Sequence, residues 1–114
     1  MSDVIDLASP RVRIVPVVGD GMEPTLRPRL DFALCRPVHS YQGEGIYLLS
    51  DELGGETFYR VDALCGRVRL LLDNPLYRGG GGEITPSKFN ARVLAIVLAD
   101  IRGRVPVDRW EALR

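Results

Sequence analysis

Short apolar runs alternate with turn-forming stretches along most of the chain, and the first run shows partial period-two alternation of apolar side chains. The strand-like runs cover residues 11–19, 30–38, 45–50, 57–64 and 67–72. Residues typical of turns, mainly Gly, Asp, Asn and Pro, lie between these runs. The pattern predicts a mainly β, compact fold of short coiled strands, in which Pro16 restricts the first strand to a sheet edge.

Two short helical elements are predicted besides the strands. Residues 21–27 favour a helical turn, and Pro24 and Pro28 limit its length. The C-terminal residues 107–114, VDRWEALR, favour a short helix in which Asp108 and Glu111 have the spacing of a capping box.

The remaining chain is predicted as one long loop followed by an apolar strand. Residues 73–87, DNPLYRGGGGEITPS, form the longest loop-like stretch, and their four consecutive glycines permit an unusual backbone path. Residues 91–103 are rich in Val and Ile and favour a strand, although their Ala and Leu content leaves a helix open.

Length and charge limit the class of protein. A chain of 114 residues indicates one domain, with residues 1–10 as a lead-in and residues 11–114 as the folded unit. Basic and acidic residues number 15 each, so the chain lacks the basic surface that drives phosphate binding. No segment offers the two consecutive helices of a helix-turn-helix. We therefore expect no direct nucleic-acid binding by this chain alone.

Cysteine usage and hydropathy indicate a reduced compartment. Cys35 and Cys65 lack C-x-x-C or ligand spacing, so we expect two buried thiols, with a disulfide left open. No apolar run approaches ~18 residues, and the acidic N-terminus lacks the features of a signal peptide. We expect a cytoplasmic protein without membrane association. One histidine and no acidic cluster beyond Asp51-Glu52 predict neither a metal nor another cofactor.

The most specific signal is a series of five motifs in a fixed order. They read VVGDGMEPTL (17–26), LDFALC (30–35), GEGIYLLSDELGGETFYRVDAL (43–64), LLLDNPLY (70–77) and ARVLAIVLADI (91–101). In this order the chain resembles the LexA/UmuD-type self-cleaving serine peptidases, a family that includes the C-terminal domains of phage repressors. The similar pieces cover about residues 15–102, which is most of the chain.

The resemblance implies a β-clip-like fold, a dimer and a Ser–Lys dyad. In the family, a serine on the turn of the first motif attacks a backbone carbonyl, and a lysine on a strand accepts its proton. Serine needs such a base, and lysine serves as one only when burial lowers its pKa. Here Gly21 stands at the serine position, and Tyr59, just before Arg60, stands at the lysine position. Glycine has no side chain and a phenol is a poor base at neutral pH, so we expect no peptidase activity.

The retained motifs around a degenerate dyad indicate binding instead of cleavage. The resemblance implies cleft residues at the turn and on the strand, and an interface on the last apolar run and the C-terminal helix. The candidate cleft residues are Asp20, Gly21, Met22, Glu23, Pro24, Tyr59 and Arg60; the candidate interface residues are Val97, Leu98, Ile101 and Trp110. We expect a homodimeric interaction module in phage or SOS-type transcriptional regulation, which can also associate with a LexA-like or phage repressor.

Two other interpretations stay open. In the first, the chain is the C-terminal dimerisation domain of a larger DNA-binding repressor, although the short segment before the first strand favours a stand-alone product. In the second, it is an active hydrolase with a rewired site that uses Tyr59 or Ser40. His39 is a poor partner for Ser40, because adjacent residues of a strand point to opposite faces.

Overall fold

The computed structural model describes residues 11–78 and 80–110 and contains one antiparallel sheet of seven strands. The strands are β1 (Arg13–Pro16), β2 (Asp31–Pro37), β3 (Gly45–Ser50), β4 (Glu56–Leu64), β5 (Arg67–Leu71), β6 (Gly82–Ile84) and β7 (Val93–Arg102). Their order across the sheet is β1-β2-β7-β3-β4-β5-β6. The mainly β fold class is confirmed, and β1, which ends at Pro16, is an edge strand as expected.

The central strands bury side chains on both faces of the sheet. In β3, the neighbours Tyr47, Leu48 and Leu49 are all 1% exposed or less, although successive side chains point to opposite faces. Two core clusters result. The first consists of Val17, Met22, Leu26, Ala33, Cys35, Leu48, Phe58 and Ala95. The second consists of Val38, Tyr47, Leu49, Val61, Val68, Leu70, Phe89 and Val93.

The first core cluster is covered by the segment that joins β1 to β2. Val17, Met22 and Leu26 are buried by packing onto the sheet. The predicted helical turn over residues 21–27 is a series of turns, closed by one helical hydrogen bond from the Leu26 amide to the Met22 carbonyl. Thus the apolar residues of this motif serve the core.

The second core cluster is covered by a helix, α1 (Pro86–Arg92), that the sequence pattern missed. The Thr85 hydroxyl caps it by accepting a hydrogen bond from the Lys88 amide, and its buried Phe89 meets the Tyr47 ring edge-on at 5.3 Å between centroids. The prediction of one loop over 73–87 is therefore wrong, since it also contains β6. Ser/Thr-Pro is a helix-start signal, but a helix of seven residues was too short to show an apolar period.

The expectation of two buried thiols is wrong for Cys65. Cys35 is buried, and burial raises the pKa of its thiol to about 11, whereas Cys65 is exposed and both thiols are free. Cys65 and Gly66 take positive φ angles of 53° and 75° in the tight turn between β4 and β5, where the Cys65 side chain is exposed. The predicted C-terminal helix is a single 3-10 turn, Val107–Arg109, within the described chain. Glu111, Leu113 and the lead-in 1–10 lie outside the described residues.

A nearly buried carboxylate ties three parts of the chain together at the start of β2. Asp31 is 1% exposed, and its oxygens accept hydrogen bonds from the Arg27 guanidinium at 2.7 and 3.0 Å and from the Arg27 amide at 2.8 Å. The Arg27 guanidinium also donates to the Gly103 carbonyl at 2.8 Å, beyond the end of β7. These bonds to Arg27 lower the pKa of Asp31, against the opposing effect of burial.

We expect Asp31→Asn to lower the free energy of unfolding by about 2 kcal/mol, because it removes the charge that compensates Arg27. This is below the cost for a fully buried pair, since the Arg27 side chain keeps 31% of its exposure. Urea denaturation measures the change. The matched control is Asp62→Asn, whose partner Arg69 lies on a more exposed surface, and its loss should be clearly smaller. Equal losses in the two variants would contradict this role for Asp31.

The same carboxylate makes stability depend on pH. Its folded-state pKa lies below the unfolded value of about 3.9, so its contribution is complete above about pH 4 and is lost as the pH falls through the folded-state pKa. We expect the unfolding free energy of the wild type to fall more steeply below about pH 4 than that of Asp31→Asn. Urea midpoints measured from neutral to acid pH test this, and parallel pH profiles would refute it.

Candidate functional site

Two of the sequence motifs meet at the turn that carries Gly21. The side-chain amide of Asn74, itself 6% exposed, donates to the Asp20 carbonyl at 2.9 Å, and the Asn74 backbone amide donates to the Gly21 carbonyl at 2.9 Å. The Tyr77 hydroxyl donates to the Asp20 carboxylate at 2.8 Å, which raises the pKa of Tyr77. The loop after β5 therefore holds the turn in place through the hydrogen bonds of Asn74 and Tyr77.

A second set of polar contacts connects Thr25, later in the same turn, to the loop after β5. The Arg60 guanidinium donates two hydrogen bonds of 2.7 Å to the Asp73 carboxylate, which also accepts from the Thr25 hydroxyl. The Arg60 bonds are the main cause that lowers the pKa of Asp73, while partial burial opposes them and Thr25 adds to the lowering. Arg60 thus anchors the loop that holds the turn.

Gly21 is not demanded by the backbone conformation of the turn. Unlike several other described glycines, it does not have a positive φ angle. A Cβ added at Gly21 would lie 3.0 Å from the Leu72 Cδ2 atom, which is at the end of a flexible side chain. A small L-residue would fit after a slight movement of Leu72. The turn keeps its shape through the bonds of Asn74, and the glycine removes a side chain from its tip.

A cavity of about 120 Å³ opens beside Gly21, and it is called the Gly21 cavity below. It is lined by the segment 15–19, by Gly21 and Met22, by Leu48, and by residues 56–58 at the start of β4. Of the cleft residues predicted from sequence, Gly21 and Met22 line it, whereas Asp20, Glu23, Pro24, Tyr59 and Arg60 are not among the lining residues. The lining from β1 and β4 was not predicted from the sequence, because the cavity brings together residues that are distant along the chain.

Tyr59 lies in different surroundings from Gly21. Its neighbour Phe58 belongs to the first core cluster and lines the Gly21 cavity, while Tyr59 packs against the second cluster. The Tyr59 ring lies beneath Gly81, whose added Cβ would come within 2.8 Å of it. Gly21 and Tyr59, the two positions that the resemblance assigns to a dyad, thus lie in different surroundings.

The glycine run adopts the unusual path that its composition permits. Gly80 has a φ of +53°, and a Cβ there would lie 2.6 Å from the Leu70 carbonyl oxygen. The Gly81 amide donates to the same carbonyl at 2.8 Å. Gly80 and Gly81 can therefore lie directly on β5 and Tyr59 only because they lack side chains.

The candidate interface residues divide between core and surface. Val97 packs against the first core cluster. Leu98 is 53% exposed and lies between the residues of β7 that pair with Leu34 and Cys35, at a bulge. Ile101 is 41% exposed and Trp110 is 46% exposed, with the Trp110 ring 5.3 Å from that of Phe32. Three of the four residues are thus available to a partner.

Other candidate chemistry is sparse in the described ranges. Ser40 accepts a hydrogen bond from the Gln42 side chain in the loop before β3. Within residues 11–78 and 80–110, no three His, Cys, Asp or Glu side chains form a group that could hold a metal ion. No helix in these ranges is long and apolar enough to cross a membrane.

Comparison of the chain with models of protein families and with curated proteins gave no match.

We expect Gly81→Ala to destabilise the fold by roughly 1–3 kcal/mol, because the new methyl group overlaps Tyr59 and the Leu70 side chain. Thermal or urea unfolding measures this loss. In a Tyr59→Ala background the loss should shrink, which a double-mutant cycle reports as coupling. Gly19→Ala is the matched control, since a Cβ at Gly19 meets nothing within 4 Å. A Gly81→Ala effect independent of Tyr59 would contradict this contact.

We expect Gly21→Ser to fold with little loss of stability but to show no self-cleavage. The serine has room beside Leu72, while the chain's sole lysine, Lys88, lies in α1 over the second core cluster and offers no base. Incubation at alkaline pH followed by intact-mass measurement tests this, with the wild type and Gly19→Ser as controls. A clipped chain in Gly21→Ser alone would overturn this interpretation of the dyad.

Proposed function

We propose that this protein is a non-catalytic relative of the LexA/UmuD-type peptidases that acts as a dimerisation and protein-interaction module in transcriptional regulation. The observation that carries the proposal is an apolar sheet face without a cover in the described chain. The five motifs in order and the degenerate dyad positions Gly21 and Tyr59 support the family relationship and the absence of cleavage.

The uncovered face follows from strand register. In one row across the sheet, Ile14 of β1 pairs with Leu34 of β2, which pairs with Ala99 of β7. In the next row, the pairing partners are Pro16, Phe32 and Ile101. Partners in register share a sheet face, so these six apolar residues form one surface, called the outer face below.

The outer face lies on the side of the sheet opposite the first core cluster. It is the same side on which α1 covers the second core cluster. Ala33 and Cys35 point into the first cluster, so the alternating residues Phe32 and Leu34 point away from it. Ile14 remains 45% exposed, and Trp110 lies against Phe32 at the border of this surface. Contiguous exposed apolar surface of this kind is typical of protein–protein interaction sites, so it supports a protein partner.

A second copy of the chain is the partner that this surface suits best. A two-fold interface brings the same patch together from both molecules, so its rim must not carry charge of a single sign. Arg36 lies on the same face of β2, while Arg29 and Asp108, 3.7 Å apart, lie near the 3-10 turn. Both signs are therefore present at the rim, and an exposed aromatic such as Trp110 is a common interface anchor.

The dimer is tested by sedimentation velocity over a range of protein concentrations. We expect the wild type to sediment as a dimer and Ile101→Asp to sediment as a folded monomer, because a carboxylate within the outer face would lose its hydration on association. The matched control is Leu53→Asp, since Leu53 is 97% exposed in the turn between β3 and β4. A monomeric wild type at all concentrations would overturn the proposal.

Association with a LexA-like or phage repressor is the second part of the proposal. The Gly21 cavity supports it, because a vacant cleft beside the motif turn offers a place for an extended segment of a partner. Co-purification with a candidate repressor encoded beside the gene would test this, with Ile101→Asp separating pairing through the outer face from binding at the cavity.

A further inference from the structure

We propose that the Gly21 cavity binds an extended peptide segment through one branched aliphatic side chain that is followed by a lysine or arginine. The inference rests on the proposed function and names the chemistry of the segment that the module would bind. Three observations carry it: the size of the cavity, the free backbone at its mouth, and a carboxylate at its rim.

The size of the cavity fits one side chain. At about 120 Å³ it is well below the roughly 300–1,000 Å³ of typical small-molecule sites. An apolar cavity of about 150 Å³ holds a benzene-sized group, so this one suits a leucine or isoleucine side chain. The lining of Val15, Met22, Leu48 and Phe58 offers apolar contacts for such a group.

The backbone at the mouth of the cavity favours a peptide over an isolated apolar molecule. Val17 uses both of its backbone groups, as its amide donates to the Asp31 carbonyl and its carbonyl accepts from the Arg29 amide. In the described chain, the backbone groups of Val18 and Gly19 make no hydrogen bond. They can pair with an added strand, whose alternate side chains would enter the cavity.

The side chains at the mouth extend the apolar surface and add a charge. Val18 lines the cavity but is 81% exposed, so it offers a further apolar contact beside the opening. Glu56 lines the opposite wall at the start of β4, and it is absent from the ion pairs within the described residues. Its carboxylate favours a cationic residue next to the anchored one.

The test uses capped hexapeptides of sequence Gly-Ser-Leu-Xaa-Ser-Gly, where Xaa is Lys, Ser or Glu, titrated at millimolar concentration into isotope-labelled protein. We expect the amide resonances of Val18 and Gly19 to shift. The Lys peptide should bind about two- to five-fold more tightly than the Glu peptide, as for an exposed ion pair. Replacing the peptide leucine by alanine should weaken binding about ten-fold or more.

Variants of the protein separate the two contributions. Glu56→Lys should reverse the preference between the Lys and Glu peptides, and Glu56→Gln should abolish it. Glu83→Lys in β6, at the opposite edge of the sheet, is the matched charge reversal and should leave the preference unchanged. Val18→Asp should weaken binding of all the peptides, whereas Leu64→Asp at the end of β4, another exposed apolar site, should not.

The outcomes distinguish this inference from the proposed function. Absence of shifts at Val18 and Gly19 with every peptide, or equal affinity for the leucine and alanine peptides, would overturn the binding site. An equal affinity for the Lys and Glu peptides would overturn the role of Glu56. Sedimentation of the same samples reports the dimer independently, so a dimer without peptide binding refutes this inference alone, and peptide binding by a monomer refutes the dimer alone.

Discussion

The structure depends on one constraint: the central strands β3 and β7 bury apolar side chains on both faces of a single sheet. Tyr47, Leu48 and Leu49 follow one another in β3 and are all removed from water. Each face therefore needs its own cover. The segment between β1 and β2 covers one face and α1 covers part of the other, while residues 11–78 and 80–110 provide no cover for the second face over β1, β2 and the end of β7. The outer face is the part of the sheet that the described chain leaves uncovered.

The first cover is held by polar groups placed where the backbone turns away from the sheet. Asn74 supplies hydrogen bonds to the turn at Asp20 and Gly21, and Asp31 connects Arg27 to the chain beyond β7. Buried polar groups of this kind stabilise a fold only when their partners are present. Several residues of the first and fourth sequence motifs therefore stabilise the fold, whatever further role these motifs have.

The two proposed binding surfaces share one strand. In β1, Ile14 belongs to the outer face, Val15 lines the Gly21 cavity, and Pro16 contributes to both surfaces. The alternation of side chains along a strand places Ile14 and Val15 on opposite sides of the same short element. Substitutions at Ile14 and at Val15 can therefore address the two surfaces separately, whereas a substitution at Pro16 affects both.

The amino-acid sequence by itself determined the fold class, the strands β2 to β5, the edge position of β1 and the identity of the residues at the motif turn, because apolar alternation and turn chemistry are local signals. It did not reveal α1, the exposure of Cys65 or the lining of the Gly21 cavity. Nor did it show that Tyr59 and Gly21 lie in different surroundings. These features depend on which segments meet after seven strands have paired in a non-sequential order. Such contacts join residues that are distant along the chain, and only the tertiary structure decides them.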